Sequence, residues 1–234
     1  MKASRLLSAC TLLISSCHPA ESAAVEGQVI LRGTPPPEIL IKMSGDCAAA
    51  QKQPPTTRHY LVDKDGGLAN VLVVIRSGLG QRKFAPRTKE VTMDCMACQT
   101  EPYVVAVQTG QRLVFRNDSP FQENIHFTGR LNKEWNFGLR AHSRLERIFD
   151  TGEDFIRIKG DVHPWFFGYV CVVDHPFFAV TGPDGRFEFP DGLPNGTYGI
   201  EAKHLKAGSV RKEIVVRNGR VDPLEFVLDV PPRP

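Results

Sequence analysis

The sequence predicts an all-β protein, and three observations carry that expectation. No stretch sustains helical apolar periodicity. Short runs rich in β-branched and aromatic residues recur instead, such as LANVLVVIR from Leu68 to Arg76 and YVVAV from Tyr103 to Val107. Turn-forming clusters separate them, in a chain of 234 residues with 20 Gly and 18 Pro. That length suits one large β domain or two small ones.

Taken in order, VEGQVIL (Val25 to Leu31) alternates apolar and polar residues and reads as a strand, stopped by Gly33 and three prolines. Glu38 to Lys42 reads as a short strand, and Asp46 to Thr57 as a loop carrying Cys47. Leu68 to Arg76 is the strongest buried strand of the first third. After a Gly/Lys/Arg/Pro-rich break come short strands at Glu90 to Met93, Tyr103 to Val107, Arg112 to Arg116 and Asn124 to Phe127. Arg130 to Arg140 reads as irregular. Strands follow at Ser143 to Phe149, Asp154 to Lys159 and Gly168 to Asp174. Beyond Pro176 the expected strands are Phe177 to Thr181, Arg186 to Phe189, Tyr198 to Ala202, Val210 to Val216 and Leu224 to Leu228.

The first residues read as an export leader. Lys2 and Arg5 precede a short apolar run, Leu6 to Ser16, too short to span a bilayer as a helix. LISSC, ending at Cys17, has the form of a lipoprotein box with Cys17 as the lipidated residue. Cleavage after Ser22-Ala23-Ala24 is the other reading. Either predicts an exported protein, periplasmic or an outer-membrane lipoprotein, that meets a membrane only through such an anchor. The formal net charge is +3 for the whole chain, and loss of Lys2 and Arg5 lowers it. Nothing in that balance points to nucleic acid.

Four cysteines lie outside the leader: Cys47, Cys95, Cys98 and Cys171. An even number in an exported chain points to two disulfides, with three pairings open. The expected pairing is Cys47–Cys98 with Cys95–Cys171. CMAC from Cys95 to Cys98 has the spacing of half a zinc site or a redox pair. No second CxxC or His pair completes it, and no thioredoxin-like βαβ surrounds it.

Two family resemblances follow from particular segments. GQRLVFRNDSPFQENIHF and KGDVHPWF resemble the ligand loops of a cupredoxin, amicyanin-like in the second. The cupredoxin pattern places a His ligand before an Asn; here Asn124 matches that Asn and Glu123 falls on the ligand position. The second loop, C-x-x-H-x-x-M in the family, reads Gly160, His163 and Phe166. Cys is replaced by Gly160 and Met by Phe166, so the resemblance implies a cupredoxin sandwich with a vestigial copper site. A blue-copper centre needs a thiolate and two imidazoles. Glu123 and His163 supply two donors, and His126 points to the opposite face of an extended strand. The sequence offers no spare thiol evident nearby.

The outer segments, GQVIL with GGLANVLVVIRSG and then AVTGPDGRFEFPDGLPNGTYGIEA, resemble a carboxypeptidase-regulatory-like domain, a transthyretin-like sandwich that shares its fold with carbohydrate-binding modules. The implied organisation is a leader (1–24), a first part of that domain (25–80), a cupredoxin-like Greek-key sandwich (81–174) inserted in or fused to it, and a second part (175–234). VVDHPFFAVTGPDG resembles segments of bacterial exported proteins of a methylamine-utilization-protein-like group, without implying a methylamine reaction.

Trp165 and His204 are candidate binding residues, with burial and loop hydrogen bonding as their ordinary roles. No nucleophile elbow, HExxH or phosphate loop occurs, and Asp161 beside His163 is not by itself a catalytic pair. The sequence therefore predicts a non-catalytic exported β protein that binds a glycan or an exported protein partner, without a cofactor. The alternative is a metal-binding or electron-transfer cupredoxin, copper being the cofactor, with Glu123, His163 and His126 as altered ligands.

Overall fold

The computed structural model describes residues 25–218 and 220–232. The expected leader and Cys17 lie outside the described residues. The elements in chain order are β1 (Glu26–Arg32), α1 (Gly45–Ala49), β2 (Leu72–Ser77), β3 (Val91–Met96), β4 (Gln99–Glu101), β5 (Val104–Gln108), β6 (Arg112–Asn117), β7 (Glu123–Thr128) and β8 (Trp135–Leu139). They continue with β9 (Arg144–Ile148), β10 (Glu153–Lys159), β11 (Phe167–Val173), β12 (Phe178–Val180), β13 (Arg186–Glu188), β14 (Gly196–His204), β15 (Gly208–Val216) and β16 (Leu224–Asp229). The protein is all-β.

Among the described residues four sheets form, ordered β13-β1-β16, β12-β2-β14-β15, β5-β11-β10-β7-β8 and β4-β3-β6-β9. β1 and β2 pair only with strands that follow Pro176, whereas β3 to β11 pair only among themselves. The first two sheets enclose a core with Val29, Val73, Ile75, Tyr198, Ile200 and Phe226. The last two enclose a second core with Met93, Cys95, Phe115, Ile125, Phe127 and Phe166.

A third core joins these two sandwiches. Leu72 and Val74, on the other face of β2, meet Val104, Cys171 and Val173, on the other face of β5 and β11. Because side chains alternate along a strand, both faces of β2 are therefore covered, which is why LVVI reads as a continuous apolar run rather than an alternating one. An ion-pair chain continues the junction. Asp154 accepts from Arg76 at 2.5 Å and from Lys203 at 2.8 Å, and Arg76 also donates to Glu201 at 2.7 Å. Asp154 reaches across because β10 bulges between Glu153 and Ile156, with Phe155 at φ +54°.

One disulfide expectation is corrected. Cys95 and Cys171 are not paired; both are free and buried. Cys95 points into the core between the third and fourth sheets, while Cys171 points from β11 into the junction core. The β5-β11 layer lies between them. Cys171 Sγ instead accepts the Phe155 N–H at 3.4 Å, a donor that the bulge takes out of the ladder. Cys47–Cys98 is formed as expected.

Other elements differ from expectation at the edges. Glu38 to Lys42 makes no strand; only Leu40 bridges Thr56. Within the stretch read as irregular, β8 forms as the edge strand on β7. Gly185 sits in the turn after β12 at φ +74°, where a Cβ would lie 2.4 Å from the Val29 carbonyl oxygen, so the turn requires glycine.

Replacing Asp154 with Ala leaves Arg76 and Lys203 without their shared carboxylate at the junction. The expected loss is about 2 kcal/mol, below that of a fully buried pair because Arg76 retains Glu201. A urea unfolding midpoint unchanged from wild type would show that the junction does not depend on this ion chain.

Candidate metal centre

The site is built at one end of the second sandwich, where β7 begins and the loop between β10 and β11 turns. Asn117 ends β6 and shapes the approach. Its amide donates to the carbonyls of Phe121, Leu139 and Arg140, while its oxygen accepts the Ser119 N–H. Those bonds fold the NDSP turn so that β7 starts at Glu123. Asn124 then ties β7 to the second loop, its oxygen accepting the N–H groups of Asp161 and Val162 at 2.8 and 3.0 Å. The loop closes on itself through Gly160 N–H to the Phe166 carbonyl and Phe166 N–H to the His163 carbonyl, both 2.8 Å.

These constraints bring Glu123 and His163 together. His163 Nδ1 lies 2.8 Å from Glu123 Oε2. Glu123 is fully buried, and its other oxygen, Oε1, has no hydrogen-bond partner among the described residues. Burial raises the Glu123 pKa, with the His163 hydrogen bond opposing that rise. The His163 ring is one-fifth exposed. It stacks on Trp165 at 5.8 Å and meets the Phe121 edge at 6.0 Å.

The unforeseen neighbour is sulfur. Cys47, Cys98, Glu123 and His163 each offer a donor atom, and all four atoms lie within 4.8 Å of one another. Cys98 reaches the site because Ala97 and Cys98 form the two-residue turn between β3 and β4, with φ of +47° and +60°. Positive φ at both central residues is the conformation whose twist suits a tight hairpin. Cys47 comes from α1, of which it is the buried residue. No free thiol joins the Glu123–His163 pair in this cluster; its sulfurs are those of the Cys47–Cys98 disulfide, which the reading of the two ligand loops did not place there. Sequence reading missed it because Cys47 sits on a loop far from both ligand motifs, and only the Cys47–Cys98 pairing hinted that the two come together.

The other expected residues separate from this cluster. His126 projects from the opposite face of β7, where Nδ1 meets Asp161 at 2.7 Å and Nε2 meets Glu134 at 2.6 Å. It belongs to a carboxylate pair rather than to Glu123. Phe166 is fully buried in the core, so no ligand stands at its position. At Gly160 an added Cβ would lie 2.8 Å from the His163 carbonyl oxygen and 3.1 Å from Phe166 Cβ. The loop therefore leaves little room for a side chain at position 160. The blue-copper donor set does not fit these residues.

Neither binding candidate presents an open platform. Trp165 is half-buried against His163. His204 is buried, with Nδ1 accepting the N–H groups of Lys206 and Ala207 at 3.3 and 3.1 Å, and its ring against Tyr60. Its place is inside the β14–β15 turn, the loop hydrogen-bonding role set beside the binding one above. Of the aromatic faces elsewhere, Trp135 lies under Arg147 at 4.0 Å, and Tyr103, on the wall of a 660 Å³ cleft, lies under Arg58 at 4.3 Å.

Two outcomes follow. Burial lowers the His204 pKa from 6.5 to about 4, so the folded state favours the neutral ring. Its contribution is intact above pH 6.5 and is lost as pH falls toward 4, on the order of 2–3 kcal/mol. His204→Gln should flatten that part of the pH–stability curve; an unchanged slope would remove the assignment. Gly160→Cys should lower stability and give no intense visible band with Cu(II), since the loop leaves the thiol no room beside His163. A blue product would show that the loop reopens.

Neither a protein-family profile nor a curated protein matches the sequence. Among solved structures, a reduced amicyanin variant is similar at 16% identity and TM-score 0.33, covering 43% of this chain and 97% of its own. A purple cupredoxin from Nitrosopumilus maritimus is similar at 23% identity and TM-score 0.28, covering 31% of this chain and 80% of its own. A copper-containing nitrite reductase from Thermus scotoductus SA-01 is similar at 16% identity and TM-score 0.33 over 42% of this chain. The chain spans 25% of that enzyme's length. The all-β sandwich architecture rests on the four sheets themselves.

Proposed function

We propose that this is an exported, non-catalytic metal-binding protein of the cupredoxin type, with Glu123 and His163 as the altered ligands at the loop end of the sandwich. The observation that carries the reading is the buried Glu123 carboxylate, one oxygen held by His163 and the other unpartnered among the described residues. A buried carboxylate with an idle oxygen costs several kcal/mol unless something else uses it. A cation at that oxygen would offset the cost, and an imidazole beside it is the commonest companion ligand. The resemblance of the NDSP…EN and HPWF segments to cupredoxin ligand loops supports the same location.

His126 is not part of the proposed set, and electron transfer by blue copper is not proposed. A glycan-binding reading has no comparable observation behind it, since Trp135, Trp165 and Tyr103 each carry a neighbouring side chain against the ring.

The test is metal content of the purified protein, followed by titration with divalent ions. One ion per chain is expected, with affinity lowered at least 10-fold in both Glu123→Ala and His163→Ala. Stoichiometric binding that both variants retain would place the metal elsewhere and end this reading.

A further inference from the structure

The two sulfurs beside Glu123 and His163 occupy neither ligand position of the cupredoxin pattern. Building on the metal-binding reading above, we infer that Cys47 and Cys98 are the second pair of donors, so that cleaving their disulfide completes a cage of two thiolates, one carboxylate and one imidazole for a four-coordinate ion of the zinc class.

The donor set carries the choice of ion. Two thiolates, an imidazole and a carboxylate are the ligand types of tetrahedral zinc sites, where Zn–S is about 2.3 Å and Zn–N about 2.0 Å. Those lengths place tetrahedral donors about 3.3 to 3.8 Å apart. The four donor atoms already lie within 4.8 Å of one another. The required change is a small convergence of Glu123 and His163 and a separation of the two sulfurs. Three of the four residues are buried, Glu123 and Cys98 fully and Cys47 nearly so, while the His163 ring keeps a partly open side.

The surroundings allow the sulfurs to part. Cys98 stands on a tight hairpin turn and is fixed by β3 and β4. Cys47 stands on α1, a single turn of helix whose N-cap residue Ser44 makes no side-chain capping bond. Cys47 is the buried residue of that helix, and Gln51 Nε2 to the Ala97 carbonyl at 2.5 Å is a second tie between the same loop and the hairpin. Once the disulfide opens, α1 can shift while Gln51 holds the loop nearby. In the disulfide form neither sulfur is a thiolate, and only Glu123 and His163 can bind. The disulfide is thus a gate on metal affinity.

Opening the gate takes two electrons and two protons. A dithiol reductant supplies both, leaving as its own disulfide while Cys47 and Cys98 become thiols. Metal binding then releases the two thiol protons to solvent. Cys95 and Cys171 do not take part, since burial pushes the Cys171 thiol up to about 12 and Cys95 higher still, and neither belongs to the cluster.

The experiment compares the oxidised chain with the chain reduced by a phosphine, which takes the oxygen of water and becomes the phosphine oxide. After anaerobic desalting, both forms are titrated with Co(II) as a spectroscopic probe and then with Zn(II). The reduced form should bind one Co(II) with thiolate-to-cobalt charge-transfer absorption, at least 100-fold tighter than the oxidised form, and Zn(II) should displace it. Cys47→Ser and Cys98→Ser should each weaken binding 10-fold or more and diminish that band. The Cys95→Ser/Cys171→Ser double variant should leave it intact. Circular dichroism on the reduced wild type reads folding independently of any variant. Equal Co(II) affinity in both forms, without the sulfur band, overturns the gate but leaves the Glu123–His163 reading standing. No Co(II) binding by folded protein in either form overturns both.

Discussion

Burial of β2, β5 and β11 on both faces is the constraint on which the rest depends. A strand buried on one face can slip by one residue only by exchanging its inner and outer side chains. A strand buried on both faces has no polar face to exchange. Leu72 and Val74 are as buried as Val73 and Ile75, and Cys171 and Val173 as buried as Val170 and Val172. That double burial stacks the four sheets and decides which residues can meet. It keeps Cys95 and Cys171 in separate cores, and leaves Cys47 to find Cys98 at the end of the stack. It also forces the polar groups at the junction to pair, which the chain from Asp154 through Arg76 and Glu201 to Arg211 does.

At the other end of the second sandwich the same economy is broken. Asn117 and Asn124 satisfy the turning backbone in full, yet Glu123, placed between them, is buried with an idle oxygen. Polar groups inside well-packed proteins are almost always paired, and departures concentrate where function imposes them. The contrast with Glu153 is instructive. That carboxylate is also buried, but it accepts the N–H groups of Arg130, Leu131 and Asn132, and those bonds lower its pKa. The fold can satisfy a buried carboxylate and does so at Glu153 but not at Glu123.

What the sequence made legible follows from how local each signal was. Leu68 to Arg76 was readable because double-sided burial writes an unbroken apolar run. The Glu123–His163 partnership was readable through the resemblance of their two segments to the ligand loops of a cupredoxin, and the two side chains do meet. β8 was not readable. Its Trp135, Phe137 and Leu139 alternate, and Trp135 and Leu139 meet the second core, but the run is only five residues long and is broken by Asn136 and Gly138, with Phe137 exposed beneath Arg147. The helix α1 was hidden for a related reason, since one turn of helix around Cys47 leaves no periodicity. The sulfur neighbours of the site depend on a long loop folding back over the β3–β4 hairpin. Such contacts between distant segments carry no sequence pattern, and the expected Cys47–Cys98 pairing did not say which loops the bond would lie beside.

The donors also decide what kind of metal chemistry this pole can support. In a blue-copper site a single thiolate is held away from any second thiol, so Cu(II) can be bound without consuming its ligand. Here Cys47 and Cys98 are bonded to each other, and the proposed reduction would leave them as two adjacent thiols. Two Cu(II) ions meeting them would take one electron each, leaving two Cu(I), the Cys47–Cys98 disulfide and two protons. Cu(II) would therefore close the cage. An ion of fixed valence such as Zn(II) has no electron to take, so both thiolates remain ligands. On the proposed four-ligand reading, Gly160 leaves no thiol in that loop and the Cys47–Cys98 pair lies beside Glu123 and His163, a donor set that favours reversible holding of such an ion over electron transfer.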